Sequence, residues 1–246
     1  DEGLLENTFI FYLGDHGGVL PRGKGYLHES GLHVPLVARI PEKWRSKIPL
    51  EMGSRIDGFV SFIDFGPTLL HLAGLKTPNI LDGSPFIGPN ISKVALDHRD
   101  ETFGYADRFD EKYEMCRSIR KGRYKYIRSF QPFYPDGLQN NYRYIMLAYE
   151  EWRTLHRQGK LNEAQSAFFN PKPTEQLFDL HSDPHEIKNL ADDPGHAALL
   201  ISLRDRLNQK LSSIHDLSFY PESYMTQHAL NDGVAFGNAH ADEIEL

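Results

Sequence analysis

The stretch Thr8-Phe9-Ile10-Phe11-Tyr12-Leu13, running into Gly14-Asp15-His16-Gly17-Gly18, decides the fold class. Six β-branched, aromatic or aliphatic residues in a row read as a buried central strand. The glycine-rich break after it sets Asp15 and His16 at the carboxyl end of that strand, where open α/β sheets hold their ligands. Val34 to Ile40 reads as a second buried strand, with Pro35 at its start, where a missing N–H is tolerated. An α/β architecture is the expectation.

Outward from this core the chain is punctuated by clear starts and stops. Ser61-Phe62-Ile63-Asp64 has capping-box spacing, but Pro67 would fall inside a helix started there. The expected helix therefore begins near Gly66-Pro67, carries Leu69, Leu70, Leu72 and Ala73, and stops at Gly74. Residues 78 to 89 are rich in Pro and Gly and read as a surface segment. A more polar half follows. Arg123 to Phe130 alternates as a half-exposed antiparallel strand does, and Glu175 to Leu180 is a further short strand closed by the turn Asp183-Pro184. Asp193-Pro194 supplies an N-cap and a first-turn proline for a helix whose face is Leu199, Leu200, Leu203, Leu207, Leu211 and Ile214. The expected organisation is 1–100 as part of an α/β domain, 101–230 as an antiparallel-sheet subdomain with a helix, and 231–246 as an irregular tail.

The 246 residues are 40% hydrophobic and 25% charged, which suits a packed core and excludes collagen-like and largely disordered chains. A formal net charge of −7 without a basic run gives no electrostatic footprint for nucleic acid. No apolar stretch approaches the roughly 18–20 residues of a membrane span. The first residues lack an initiator Met and a signal peptide and run straight into an apolar segment, as a fragment would. Cys116 is the one cysteine, so neither an internal disulfide nor a cysteine-based zinc site is available.

Four features point to chemistry. A carboxylate beside an imidazole, Asp15-His16, suits a divalent cation when further carboxylates join it, while Asp in such a loop also serves as a turn or helix cap. Lys24 between Gly23 and Gly25 offers a point charge on a backbone that can approach closely, which fits a tetrahedral oxyanion; a solvated loop lysine is the plain alternative. His28 and His33 are candidate proton donors, or packed and surface imidazoles. Asp107-Arg108-Phe109-Asp110-Glu111 suits contacts to sugar hydroxyls or a uronate, and equally a salt-bridged surface turn.

Asn7 to Gly17, then Gly23-Lys24-Gly25-Tyr26-Leu27-His28-Glu29-Ser30-Gly31-Leu32-His33-Val34-Pro35-Leu36, resemble the metal-binding and sulfate-binding segments of the type I sulfatases. The resemblance continues through Ser61 to Gly74 with Leu81-Asp82-Gly83, through Arg117 to Arg128, and through Glu175 to Leu190. Gly17 to Lys24 is most like the heparan N-sulfatase-like and arylsulfatase-like branch. The resemblance implies the C-terminal portion of the alkaline-phosphatase-like sulfatase fold, with a smaller C-terminal antiparallel sheet plus helix. It implies Asp15 and His16 as ligands of Ca²⁺ and Lys24 as a sulfate contact; on the residues themselves Lys24 and His28 are the candidate catalytic residues, and Lys24, His33, Asp107 and Arg108 the candidate substrate-binding ones.

The formylglycine nucleophile of that family comes from a Cys-x-Pro/Ala-x-Arg motif. Cys116-Arg117-Ser118-Ile119-Arg120 has Ser118 where Pro or Ala belongs and leads into a strand, so a packed thiol is expected. The nucleophile, and the family's paired N-terminal aspartates, are then expected on an N-terminal half that acts as this chain's partner. The activity implied is hydrolysis of sulfate esters or sulfamates of a sulfated carbohydrate, in a periplasmic, extracellular or lysosomal compartment. The alternatives are a phosphoric ester or phosphonate hydrolase of the same superfamily and a non-catalytic sulfated-sugar-binding module.

Overall fold

The computed structural model describes residues 2–109 and 111–243. In chain order its elements are β1 (Ile10–Leu13), α1 (Glu29–Leu32), β2 (Leu36–Arg39), α2 (Phe65–Leu72), α3 (Lys93–Asp97), β3 (Glu101–Phe109), β4 (Lys112–Lys121), β5 (Tyr124–Ser129), α4 (Asn141–Tyr144), α5 (Leu147–Arg157), α6 (Glu163–Ser166), β6 (Glu175–Asp179), α7 (Ala197–Ile214), α8 (Glu222–His228) and α9 (Gly233–Ala239). They form two compact units, Asp1–Asp15 with Val34–Thr102, and His16–His33 with Phe103–Leu246. The architecture is mixed α/β with antiparallel sheets. The sequence boundary near residue 100 misses that His16–His33, interrupting the first unit in sequence, packs with the second.

In the first unit β1 and β2 pair antiparallel, with Phe11 opposite Ala38 and Tyr12 opposite Val37. Both were expected as buried central strands. Instead they form a two-stranded sheet with one inward face: Phe11 and Leu36 join the core of Ile48, Leu72, Phe86, Ile87 and Leu96, while Tyr12 and Val37 are 70% and 60% exposed. Burial in a pleated strand alternates, and an apolar run alone does not say whether its second face is covered. Residues 78–89 carry no helix or strand, as expected, yet Phe86 and Ile87 anchor their end in that core.

The helix start differs from expectation in an instructive way. Ser61 N–H donates to Asp64 Oδ2 at 2.9 Å, so the capping-box pairing is made after all, on a 3-10 turn that runs into α2. Pro67 is tolerated because it falls in the first turn of α2, where the N–H it lacks has no helical partner to lose.

The second unit is a four-stranded sheet in the order β3-β4-β5-β6. Across it Ile119 faces Tyr126 and Tyr126 faces Leu177, and onto this face α7 sets Leu200, Leu203, Leu207 and Leu211. Their spacing of three and four residues makes one helical stripe. Asp193 accepts from the Gly195 N–H ahead of the helix, and His215 in a left-handed conformation (φ 49°) ends it.

The opposite face carries Cys116, Ile127 and Phe178, and Leu27 of the segment 16–33 packs there. β5 is therefore covered on both sides, not half-exposed as its alternation implied, and Lys125 is 1% exposed. The region 231–243, expected to be irregular, contains α9, capped by Asp232.

Candidate functional site

The segment 16–33 is a folded-back loop held by its own backbone. The Gly17 N–H donates to Gly31 O at 2.9 Å, Gly23 to Leu20 O at 2.9 Å, and Lys24 to Gly18 O at 2.9 Å. Lys24 is thereby returned to within a backbone hydrogen bond of the residues that follow His16. Two positions make the fold-back glycine-dependent. A Cβ on Gly17 would sit 1.7 Å from Ser30 O, and Gly25 has φ +82° with its would-be Cβ 2.7 Å from the Arg143 guanidinium.

Lys24 is half-buried against aromatic rings. Its Nζ donates to the Tyr142 hydroxyl at 3.3 Å and lies 5.0 Å and 5.8 Å from the ring centroids of Tyr142 and Phe109. Arg143, buried, reaches Lys24 O with Nη2 at 3.4 Å and donates from Nη1 to the Tyr26 hydroxyl at 2.6 Å. Tyr142 and Arg143 lie on α4, which has no trace in the sequence reading.

Behind the loop sits a buried charge cluster. Lys125 Nζ reaches Glu29 Oε1 at 2.8 Å and Glu186 Oε1 at 3.1 Å, Arg120 pairs with Glu29 Oε2, and the Glu29 N–H donates to Glu186 Oε2 at 2.7 Å. Burial works against the Glu186 carboxylate, but the Lys125 ammonium and the Glu29 amide outweigh it and hold the group well below the usual carboxylate range. Arg22 donates to His185 O, Glu186 O and His28 Nδ1 at 2.7–2.8 Å, joining the loop to the turn after β6.

His28, a candidate proton donor in the sequence, is held between Arg22 and Phe178. It is buried, its ring meets Phe178 edge-on, and a guanidinium can only donate, so Nδ1 is the acceptor. Burial and the Arg22 charge lower its pKa, which disfavours the imidazolium a proton donor needs. His33 is exposed and stands 3.7 Å from Glu29 Oε2.

At the metal-type pair, Asp15 is exposed and His16 half-buried. His16 Nδ1 lies 2.7 Å from Gly17 O, which can only accept, so Nδ1 is a donor in this contact. Among the described residues no group of three or more His, Cys, Asp or Glu that could hold a metal ion is found.

Residues 1–75 match the Sulfatase family model. The chain is 41% identical over 224 residues to an ulvan-active sulfatase of Formosa agariphila, covering 91% of this chain and 36% of that protein. Over these stretches the chain is similar to sulfatases. It is 24% identical to human N-sulphoglucosamine sulphohydrolase, over 88% of this chain and 44% of that enzyme, so it spans well under half the length of these curated relatives. Among solved structures it resembles a 2-O glycosaminoglycan sulfatase with a TM-score of 0.57 at 19% identity, over 86% of this chain and 37% of that one. A protein solved with its substrate D-glucosamine-2-N,6-O-disulfate gives 0.56 at 18% identity, covering 85% and 35%. These likenesses show the alkaline-phosphatase-like fold, of which this chain covers a part.

The remaining sequence candidates are engaged in ion pairs. Asp107 accepts from Arg117 Nη1 at 2.7 Å and from the Ser218 hydroxyl at 2.8 Å, and Arg117 continues to Asp216 at 2.5 Å. Arg108 pairs with Glu222 at the surface. Asp110 of the same cluster lies outside the described residues. Cys116 is a packed thiol: burial and Glu114 push it up to about 12, and Sγ donates to Glu114 Oε1 at 3.3 Å. What sequence reasoning missed is the support of Lys24 by Tyr142 and Arg143 and the charge cluster around Lys125. Glu29 was quoted only as part of a motif, and no local pattern announces a partner about a hundred residues away.

Proposed function

We propose that this chain supplies the sulfate-binding lysine and two metal ligands to the active site of a sulfatase that hydrolyses sulfate esters or sulfamates of a sulfated saccharide. The observation that carries the reading is the loop 16–33, which folds Lys24 back onto the segment headed by His16. Asp15 and His16 would hold a divalent cation, Ca²⁺ in the family's usual form, which polarises sulfate oxygens when bound. Two ligands fill a minor part of the roughly six to eight positions around Ca²⁺, so the others come from beyond this chain. The formylglycine nucleophile has the same origin in this reading, because the one cysteine of the chain is buried, protonated and paired with Glu114.

Lys24 holds a sulfate oxygen that gains negative charge as the S–O or S–N bond breaks, and a compact ammonium fixed beside it stabilises that change. The saccharide substrate is supported by the 41%-identical relative, an ulvan-active sulfatase. A compartment outside the cytoplasm follows from family alone; among the described residues no helix is long and apolar enough to cross a membrane.

The test is kinetic. In the full-length protein, Lys24→Ala lowers kcat on a synthetic aryl sulfate by a factor of about 10² to 10³, the usual effect of losing one donor to a developing oxyanion. Lys24→Arg restores little, because a planar guanidinium replaces a compact charge. Wild-type kinetics from folded Lys24→Ala would return Lys24 to an ordinary loop residue, and preferential hydrolysis of the matching aryl phosphate would favour the phosphoric ester alternative.

A further inference from the structure

A lysine on a loop serves an anion well only if its ammonium is already in place, since four free side-chain torsions otherwise spread the charge over many positions. Lys24 does not extend into water. Its tip donates to the Tyr142 hydroxyl at 3.3 Å and rests near the faces of Tyr142 and Phe109, two rings that meet edge-to-face at 5.4 Å. Its root is fixed separately, by Arg143 Nη2 on Lys24 O.

Both fixings come from one short segment. The fully buried Asn140 accepts from the Arg143 N–H at 2.9 Å and donates to Phe109 O at 2.9 Å, so the residues that grip the tip and the root of Lys24 are locked to each other. An ammonium has three N–H donors. With one directed to the phenol, two keep a defined direction for the oxygens of a tetrahedral anion.

We infer that Tyr142, assisted by Phe109, is a positioning residue that sets the direction of the Lys24 ammonium toward the bound sulfate group. The inference rests on the sulfate-binding role proposed above for Lys24. Tyr142 acts through Lys24 and does not itself touch the substrate, so its contribution exists only while Lys24 is present.

The experiment is a double-mutant cycle in the full-length enzyme with 4-nitrophenyl sulfate as probe. Tyr142→Phe keeps the ring and removes the hydroxyl; it should lower kcat about threefold to tenfold with an unchanged thermal midpoint. In the Lys24→Ala background the same substitution should change kcat/KM less than twofold. Phe109→Leu, which removes a ring face and leaves the phenol, should cost about twofold to fivefold, and that loss too should vanish without Lys24. Equal losses in both backgrounds, or full activity of Tyr142→Phe while Lys24→Ala is impaired, would overturn the positioning role and leave the sulfate-binding reading standing. Full activity of Lys24→Ala would overturn both.

Discussion

Replacing Lys125 by Met tests how the functional loop is fastened to the sheet. Methionine fills nearly the same volume, so the perturbation is electrical and not a cavity. Lys125 is 1% exposed and its ammonium touches Glu29 Oε1 at 2.8 Å and Glu186 Oε1 at 3.1 Å. Without it Glu29 keeps Arg120, whereas Glu186 keeps only the Glu29 N–H as a close donor, with His28 Nδ1 at 3.6 Å. Leaving a buried carboxylate without its cation costs about 3–5 kcal/mol, and at about 2–4 °C per kcal/mol for a unit of this size the midpoint falls by roughly 6–20 °C.

The chain has two tryptophans, Trp44 in the first unit and Trp152 in the second, so fluorescence in a Trp44→Phe background follows the second unit alone. The sign with pH is fixed by the carboxyl. Glu186 is held below its unfolded value in the folded protein, so its contribution is full above about pH 4.5 and is lost as pH falls further. In Lys125→Met that depression is relieved, and the deficit relative to wild type is greatest near pH 7 and shrinks toward pH 4 as the carboxyl protonates. A deficit below 1 kcal/mol at pH 7, or one that grows on acidification, would refute the reasoning.

Two further outcomes follow from the same packing. Cys116, with its thiol raised to about 12, stays protonated through pH 8; native protein should resist iodoacetamide, and Cys116→Ala in the full-length protein should keep the turnover proposed above, whereas lost turnover in a folded variant would make that thiol a reacting group. Asp107→Asn removes the charge that faces Arg117, so it should lower the second unit's midpoint by several degrees and leave KM for a sulfated saccharide unchanged; a raised KM at constant stability would restore Asp107 to the substrate.

Periodicity and local chemistry were enough for α7, because its stripe from Leu200 to Leu211 is a property of the helix itself, and Asp193-Pro194 marked its start. They were enough to single out Asp15, His16 and Lys24, whose glycine-rich surroundings are written side by side. They did not reveal that Tyr12 and Val37 are exposed, that Lys125 is interior, or that His28 is bound to Arg22, because burial is conferred by what packs on a residue and not by the residue. Pro67 misled for a related reason: its cost depends on which turn of a helix it occupies, and the 3-10 turn from Ser61 shifted that turn. The segment 16–33 carries the chemistry in its sequence, but the aim of Lys24 was decided by Tyr142 and Arg143, which lie more than a hundred residues away and are brought to it only when α4 and the sheet fold onto the loop.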